Sequence, residues 1–205
     1  ISYMTYSPDR QRLLEMARSR DIFSAADVAA AGIHSVWLSR TVAEGLLERV
    51  ARGRYRLAGR DATEHHTLAL VAARAPAAVV CLLSALQFHQ IGTQTPVDVW
   101  VALEQRAAYP RLSYPPLRVV RFSGAAYSSG VEHHTIEGQE VRVYTLAKTI
   151  ADCFKYRNKI GLDVALEALN DAWRQHRLSL ADLNTYARID RVQRVMQPYI
   201  EVIIQ

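Results

Sequence analysis

Cysteine is scarce: the 205 residues hold two, Cys81 and Cys153, and neither has a Cys or His beside it at ligand spacing. That excludes a disulfide framework and a thiolate zinc site, and it points to a reducing compartment. Each thiol reads as a small core residue. Long apolar runs are lacking as well. The longest, Ala75 to Leu83, contains Pro76 and is too short to cross a bilayer. No secretory signal is read at Ile1-Ser2-Tyr3-Met4-Thr5, so a cytoplasmic protein is expected. The chain has no Gly-rich phosphate loop, no Ser-His-Asp arrangement, no internal repeat and no low-complexity tract. No catalytic residue, cofactor or metal ligand is therefore assigned.

What is present is arginine, and it is unevenly spread. The formal net charge is +5, and Arg outnumbers Lys 22 to 3. Residues 1–60 carry 10 Arg against 6 acids, whereas residues 61–205 are nearly balanced. Cation concentrated in one small segment is the footprint of a polyanion binder.

That segment has a readable order. Pro8 suits the first turn of a helix, with Leu13, Leu14 and Ala17 on one face. Ile22-Phe23 reads as an extended piece entering the core. Ser24 with Asp27 forms a capping-box pattern for a short helix, Ala25 to Ala31. Gly32 stops it in the left-handed conformation, and Ile33 packs back. Ser35 is expected to cap a third helix reaching about Leu46, with Leu38 and Val42 inward. Leu47 to Val50 and Arg54 to Leu57 alternate around a tip at Ala51-Arg52-Gly53, which predicts a hairpin. Helix, helix-turn-helix and hairpin together spell a winged helix-turn-helix over residues 1–60.

A boundary is expected around Gly59-Arg60-Asp61, with Asp61 or Thr63 capping a helix that Pro76 ends. Residues 82–90 read as helix. Strands are expected at 97–103, 117–122, 131–136 and 140–144, the last two flanking Glu137-Gly138. From Thr145 the pattern is helical, and Ser179 with Asp182 repeats the capping signal. Pro198 is expected to kink or end the last helix. Residues 61–205 thus predict a mixed α/β domain with a small sheet and a helical C-terminal part, and the whole chain is α+β.

A helix fits the major groove, and its outward N-terminal residues reach base edges. Here those are Ser35, Val36, Trp37, Ser39 and Arg40. The planar fork of Arg40 matches guanine O6 and N7. Ser35 and Ser39 can donate to phosphate or base. Trp37 either lies along the sugar-phosphate wall or belongs to the core. Arg49, Arg52, Arg54 and Arg56 line the wing, where they can neutralise phosphates or enter the minor groove.

Three stretches resemble AbiEi-type antitoxins. They are Phe23-Ser24-Ala25-Ala26-Asp27-Val28 through Gly32-Ile33, then Trp37-Leu38-Ser39-Arg40, then Gly45 to Leu57. In the second half, Leu83-Ser84-Ala85-Leu86 with His89 and Ile91, Thr95-Pro96, and Val143 to Phe154 are similar to the family's recurring segments. The resemblance implies a transcriptional repressor that binds inverted repeats upstream of its own operon, as monomer or dimer. It also implies the antitoxin of a type IV toxin–antitoxin system, countering a nucleotidyltransferase-like toxin without a stable complex.

Other readings rank lower. The C-terminal half could be a protein-interaction module with DNA binding secondary. Asp98 with Glu104 and Arg106 is faintly similar to a magnesium-dependent nuclease core, but an arginine stands where that chemistry uses lysine. His133-His134 on a strand point to opposite faces. Lys148 and Asp152 share one helix face and are expected to pair.

Overall fold

The computed structural model describes residues 7–20, 22–58, 64–112 and 114–204. Contacts divide the chain into two compact units, Ile1–Ala73 with Thr135–Glu140, and Arg74–His134 with Val141–Gln205.

In the first unit Pro8 opens α1 (Pro8–Ser19), where its missing N–H would have had no helical partner anyway. Leu13 and Ala17, one turn apart, are fully buried. The chain then extends through β1 (Phe23–Ser24). Ser24 caps α2 (Ala25–Ala30) reciprocally. Its hydroxyl accepts the Asp27 N–H at 3.0 Å, and the Asp27 carboxylate accepts the Ser24 N–H at 2.6 Å. Burial pushes the Asp27 carboxyl up. The Ser24 bonds, with the Arg20 guanidinium 3.4 Å away, bring it below its ordinary value. Gly32, at φ +69°, turns the chain, and Ile33 enters the core.

Next come α3 (Val36–Ala43), β2 (Leu47–Ala51) and β3 (Arg54–Leu57). The sheet runs β1-β3-β2, with both pairings antiparallel. Leu13, Ala17, Phe23, Val28, Ile33, Leu38 and Leu47 form one apolar cluster, so all three helices and the sheet share a core. A second cluster lies beside it: Ile22 with Ala69 and Leu70 of α4 (His66–Arg74), flanked by Val50, Ala51 and Ile136.

Residues 135–140 belong to this unit through specific bonds. The Ile22 N–H donates to Glu137 O at 2.9 Å, and Gln139 Nε2 donates to Ile22 O at 2.6 Å. The Glu137 carboxylate lies 2.7 Å from His66 Nδ1. The boundary expected near Gly59-Arg60-Asp61, and the caps expected at Asp61 or Thr63, lie outside the described residues.

The second unit begins with β4 (Val79–Val80), α5 (Leu82–Phe88), β5 (Val99–Glu104), β6 (Leu117–Phe122) and α6 (Ala125–Ser128). The β7 (Val131–Ile136) and β8 (Gln139–Tyr144) pair follows, its residues 135–140 belonging to the first unit. Then come α7 (Leu146–Lys155), α8 (Arg157–Ile160), α9 (Leu162–Arg174), α10 (Leu180–Ile189) and α11 (Gln193–Ile203). The sheet order is β6-β5-β4-β8-β7. β4 is antiparallel to β5 and parallel to β8, while β5 and β6 are parallel. The central β4 is invisible to periodicity because it has only two residues, and both are buried. The expected α+β class, with a small mixed sheet and a helical C-terminal part, holds.

Pro198, expected to kink or end the last helix, does not end it: α11 continues to Ile203. Pro198 and Arg194 share the exposed face, so the carbonyl that loses its N–H partner lies toward water.

The core of this unit contains ionic groups. Lys148, Asp152 and Asp190 are all fully or almost fully buried. The Lys148 ammonium pairs with Asp152, as expected from their spacing, and also lies 3.3 Å from Asp190. Lys155 reaches Asp190 from the surface at 3.4 Å. The Phe122 and Tyr144 rings lie 4.7 Å from Lys148 Nζ. Asp190 thereby ties the end of α10 to α7.

Burial raises the Asp152 carboxyl well above its ordinary value; Lys148 pulls it back and Asp190 pushes it further up. A raised value in the folded chain stabilises the fold at low pH, and that contribution is lost as pH rises through the folded value. Asp152→Asn does not titrate. Its urea midpoint is therefore expected to gain on the wild type as pH rises from about 4 to about 8. A gap that stays constant across that range would contradict the raised value.

Candidate nucleic-acid interface

The helical period divides α3 into two faces. Leu38 and Thr41 are buried, and the Thr41 hydroxyl donates to Trp37 O at 2.6 Å. Ser35, Val36, Ser39 and Arg40 are left exposed. Trp37 belongs in part to the core. Its ring is half-buried and packs on the cluster formed by Leu13, Phe23 and Leu38, while the Arg40 guanidinium sits 5.1 Å from its centroid. Stacking of this kind holds a flexible arginine outward in a limited range of directions.

Ser35 does not cap α3. Its backbone is already helical (φ −58°, ψ −22°), and its hydroxyl makes no capping bond. A capping side chain reaches the first free N–H groups from an extended backbone, which Ser35 lacks. The His34 imidazole serves instead, with Nδ1 accepting the Val36 N–H at 3.2 Å. The helix also ends at Ala43, short of Leu46, because Gly45 turns at φ +70° into β2. α1 holds this region from outside: Arg10 pairs with Glu44 at 3.1 Å, and Arg12 donates to Ala31 O.

The wing arginines divide into two sets. Arg49 and Arg52 are exposed, and Arg49 Nε donates to Ala51 O at 3.3 Å. Gly53, at φ +71°, makes the tip, and its carbonyl accepts the Ala25 N–H at 3.4 Å. Arg54 and Arg56, expected with Arg49 and Arg52 to reach phosphates or the minor groove from the wing, are half-buried instead. Arg54 donates to Ala73 O of α4, and Arg56 pairs with Glu48 directly across the ladder, its side chain 17% exposed. Alternation along β3 sends both to one face, as the sequence implies. That face is occupied by α4 and Glu48, which the alternation could not reveal.

The nuclease reading finds no support in this geometry. Asp98 pairs with Arg118 at 2.7 Å. Glu104 lies six residues further along extended chain, roughly 20 Å away. Among the described residues no three His, Cys, Asp or Glu side chains converge as a metal site, and no helix is long and apolar enough to cross a membrane.

The α2–α3 pair with an exposed α3 face, followed by the β2–β3 wing that pairs with β1, makes the first unit a winged helix-turn-helix of the kind transcriptional regulators use. Residues 11–58 match the model of a family described as "Transcriptional regulator, AbiEi antitoxin", so the resemblance seen in the sequence holds over that span. The matched family is one of regulators, not of enzymes. No protein of curated function matches the chain. Among solved structures, the chain is similar to the RV2827C protein from Mycobacterium tuberculosis. The identity is 14% and the TM-score 0.59, over 88% of this chain and 71% of that one. A likeness at that identity concerns the fold alone.

Arg54→Ala is expected to cost about 1–3 kcal/mol of stability, since it removes a charged donor from the buried Ala73 carbonyl. Ser39→Ala, on the exposed face of α3, should stay within about 0.5 kcal/mol of wild type. Urea midpoints followed by circular dichroism compare the two. Equal midpoints would mean that Arg54 carries no structural bond.

Proposed function

We propose that this chain is a sequence-specific DNA-binding transcriptional repressor, the autoregulating antitoxin of a type IV toxin–antitoxin system. The observation that carries the reading is the exposed face of α3. There Ser35, Ser39 and an arginine braced on Trp37 are held outward by the burial of Leu38 and Thr41. A planar donor fork on a groove-sized helix suits the edge of a guanine. Arg49 and Arg52 supply phosphate-neutralising charge from the wing. Arg54 and Arg56 act indirectly, by fixing the wing against α4 and Glu48. The match to a family of antitoxin regulators over residues 11–58 supports the same reading.

On this reading residues 1–60 grip duplex DNA at inverted repeats near the chain's own promoter. Residues 61–205 carry the antitoxin and regulatory role, against a nucleotidyltransferase-like toxin that is countered without a stable complex. An inverted repeat is met by two recognition helices, from a dimer or from two monomers assembled on DNA. The protein works in the cytoplasm and performs no catalysis.

Mobility shifts on the chain's own promoter test the proposal. Arg40→Ala is expected to cost about 1–3 kcal/mol of binding and to relax preference at one base pair. Arg49→Ala with Arg52→Ala should weaken binding to every duplex and reduce the salt slope by about two. A wild type that binds its promoter no better than unrelated duplexes would overturn the repressor assignment.

A further inference from the structure

Between α2 and α3 the sequence singled out Ser35, but the structure directs attention to the residue before it. His34 is exposed, yet its position is fixed on several sides. Its carbonyl accepts the Trp37 N–H at 3.0 Å, and its own N–H reaches Asp9 Oδ2 of α1 at 3.5 Å. The imidazole is oriented by the Val36 N–H, which donates to Nδ1 at 3.2 Å. A ring nitrogen that accepts a hydrogen bond offers its lone pair, so the ring proton resides on Nε2. The capping bond therefore sets both the ring direction and the tautomer. It leaves a single N–H donor on the far side of the ring, at the start of the helix whose exposed face carries Ser35, Ser39 and Arg40.

We infer that His34 is a further DNA-contacting residue, its Nε2–H donating to a backbone phosphate oxygen beside the groove that α3 enters. The inference rests on the DNA-binding reading above. A phosphate oxygen is the fitting acceptor because the residue precedes the helix, whereas base edges are reached by side chains within its first turns. The contact is a neutral one. It positions α3 without releasing a counterion, unlike the contacts of Arg49 and Arg52.

Two variants separate capping from contact. His34→Ala removes both the cap and the donor. His34→Ser keeps an N-cap oxygen but cannot reach as far as the imidazole. Binding is measured on the promoter duplex and on a mixed-sequence duplex, across a salt series, alongside urea midpoints. His34→Ser is expected to keep the wild-type midpoint and to bind both duplexes about tenfold more weakly, with the salt slope unchanged. His34→Ala should show the same loss of binding with a lower midpoint. If His34→Ser binds both duplexes like wild type, the imidazole is only a cap and the inference falls. Loss confined to the promoter duplex, or a reduced salt slope, also overturns a neutral phosphate contact. A wild type that binds neither duplex is a different failure, that of the repressor reading itself.

Discussion

The arrangement of the candidate interface depends on one constraint: α3 can bury only one side. Leu38 and Thr41 enter the core of the first unit, and the Thr41 hydroxyl is spent on the preceding turn. With 3.6 residues per turn, Ser35, Ser39 and Arg40 must then face out. Moving α3 by one residue would bury Ser39 in place of Leu38, so the register is held by hydrophobic burial and not by the polar residues that would do the reading.

Around that helix the unit is braced mostly through backbone groups. The Ser24–Asp27 box starts α2, the wing-tip carbonyl of Gly53 receives the Ala25 N–H, and the imidazole of His34 starts α3. Residues 135–140 bond to both backbone groups of Ile22, so a segment distant in sequence completes this small fold. A module this small buries limited apolar surface, and such added contacts matter more to it than to a large domain.

The second unit meets a different problem. Its α7 is buried along nearly its whole length, including Lys148 and Asp152. Charges in an apolar interior are tolerated only when paired, and Asp190 and the rings of Phe122 and Tyr144 supply the remaining partners. The cluster fastens α10 to α7 at a defined point, a directional contact that apolar packing alone does not supply.

Local chemistry was legible in the sequence wherever the deciding neighbours are close along the chain. Pro8, the Ser24–Asp27 spacing, Gly32, the alternation in the wing and the Lys148–Asp152 pair all act within a turn or a hairpin, and each is found as expected. Ser35 misled because capping depends on its φ and ψ, which composition does not report. Arg54 and Arg56 were correctly assigned to one face of the hairpin. Only packing decided that α4 and Glu48 occupy that face, leaving Arg49 and Arg52 as the exposed cations of the wing. The sequence by itself thus determined which side chains share a face within the elements it showed, since helix and strand periods are properties of the backbone. What covers each face, and so which arginines stay exposed, was decided by contacts between residues far apart in the chain, which no local pattern encodes.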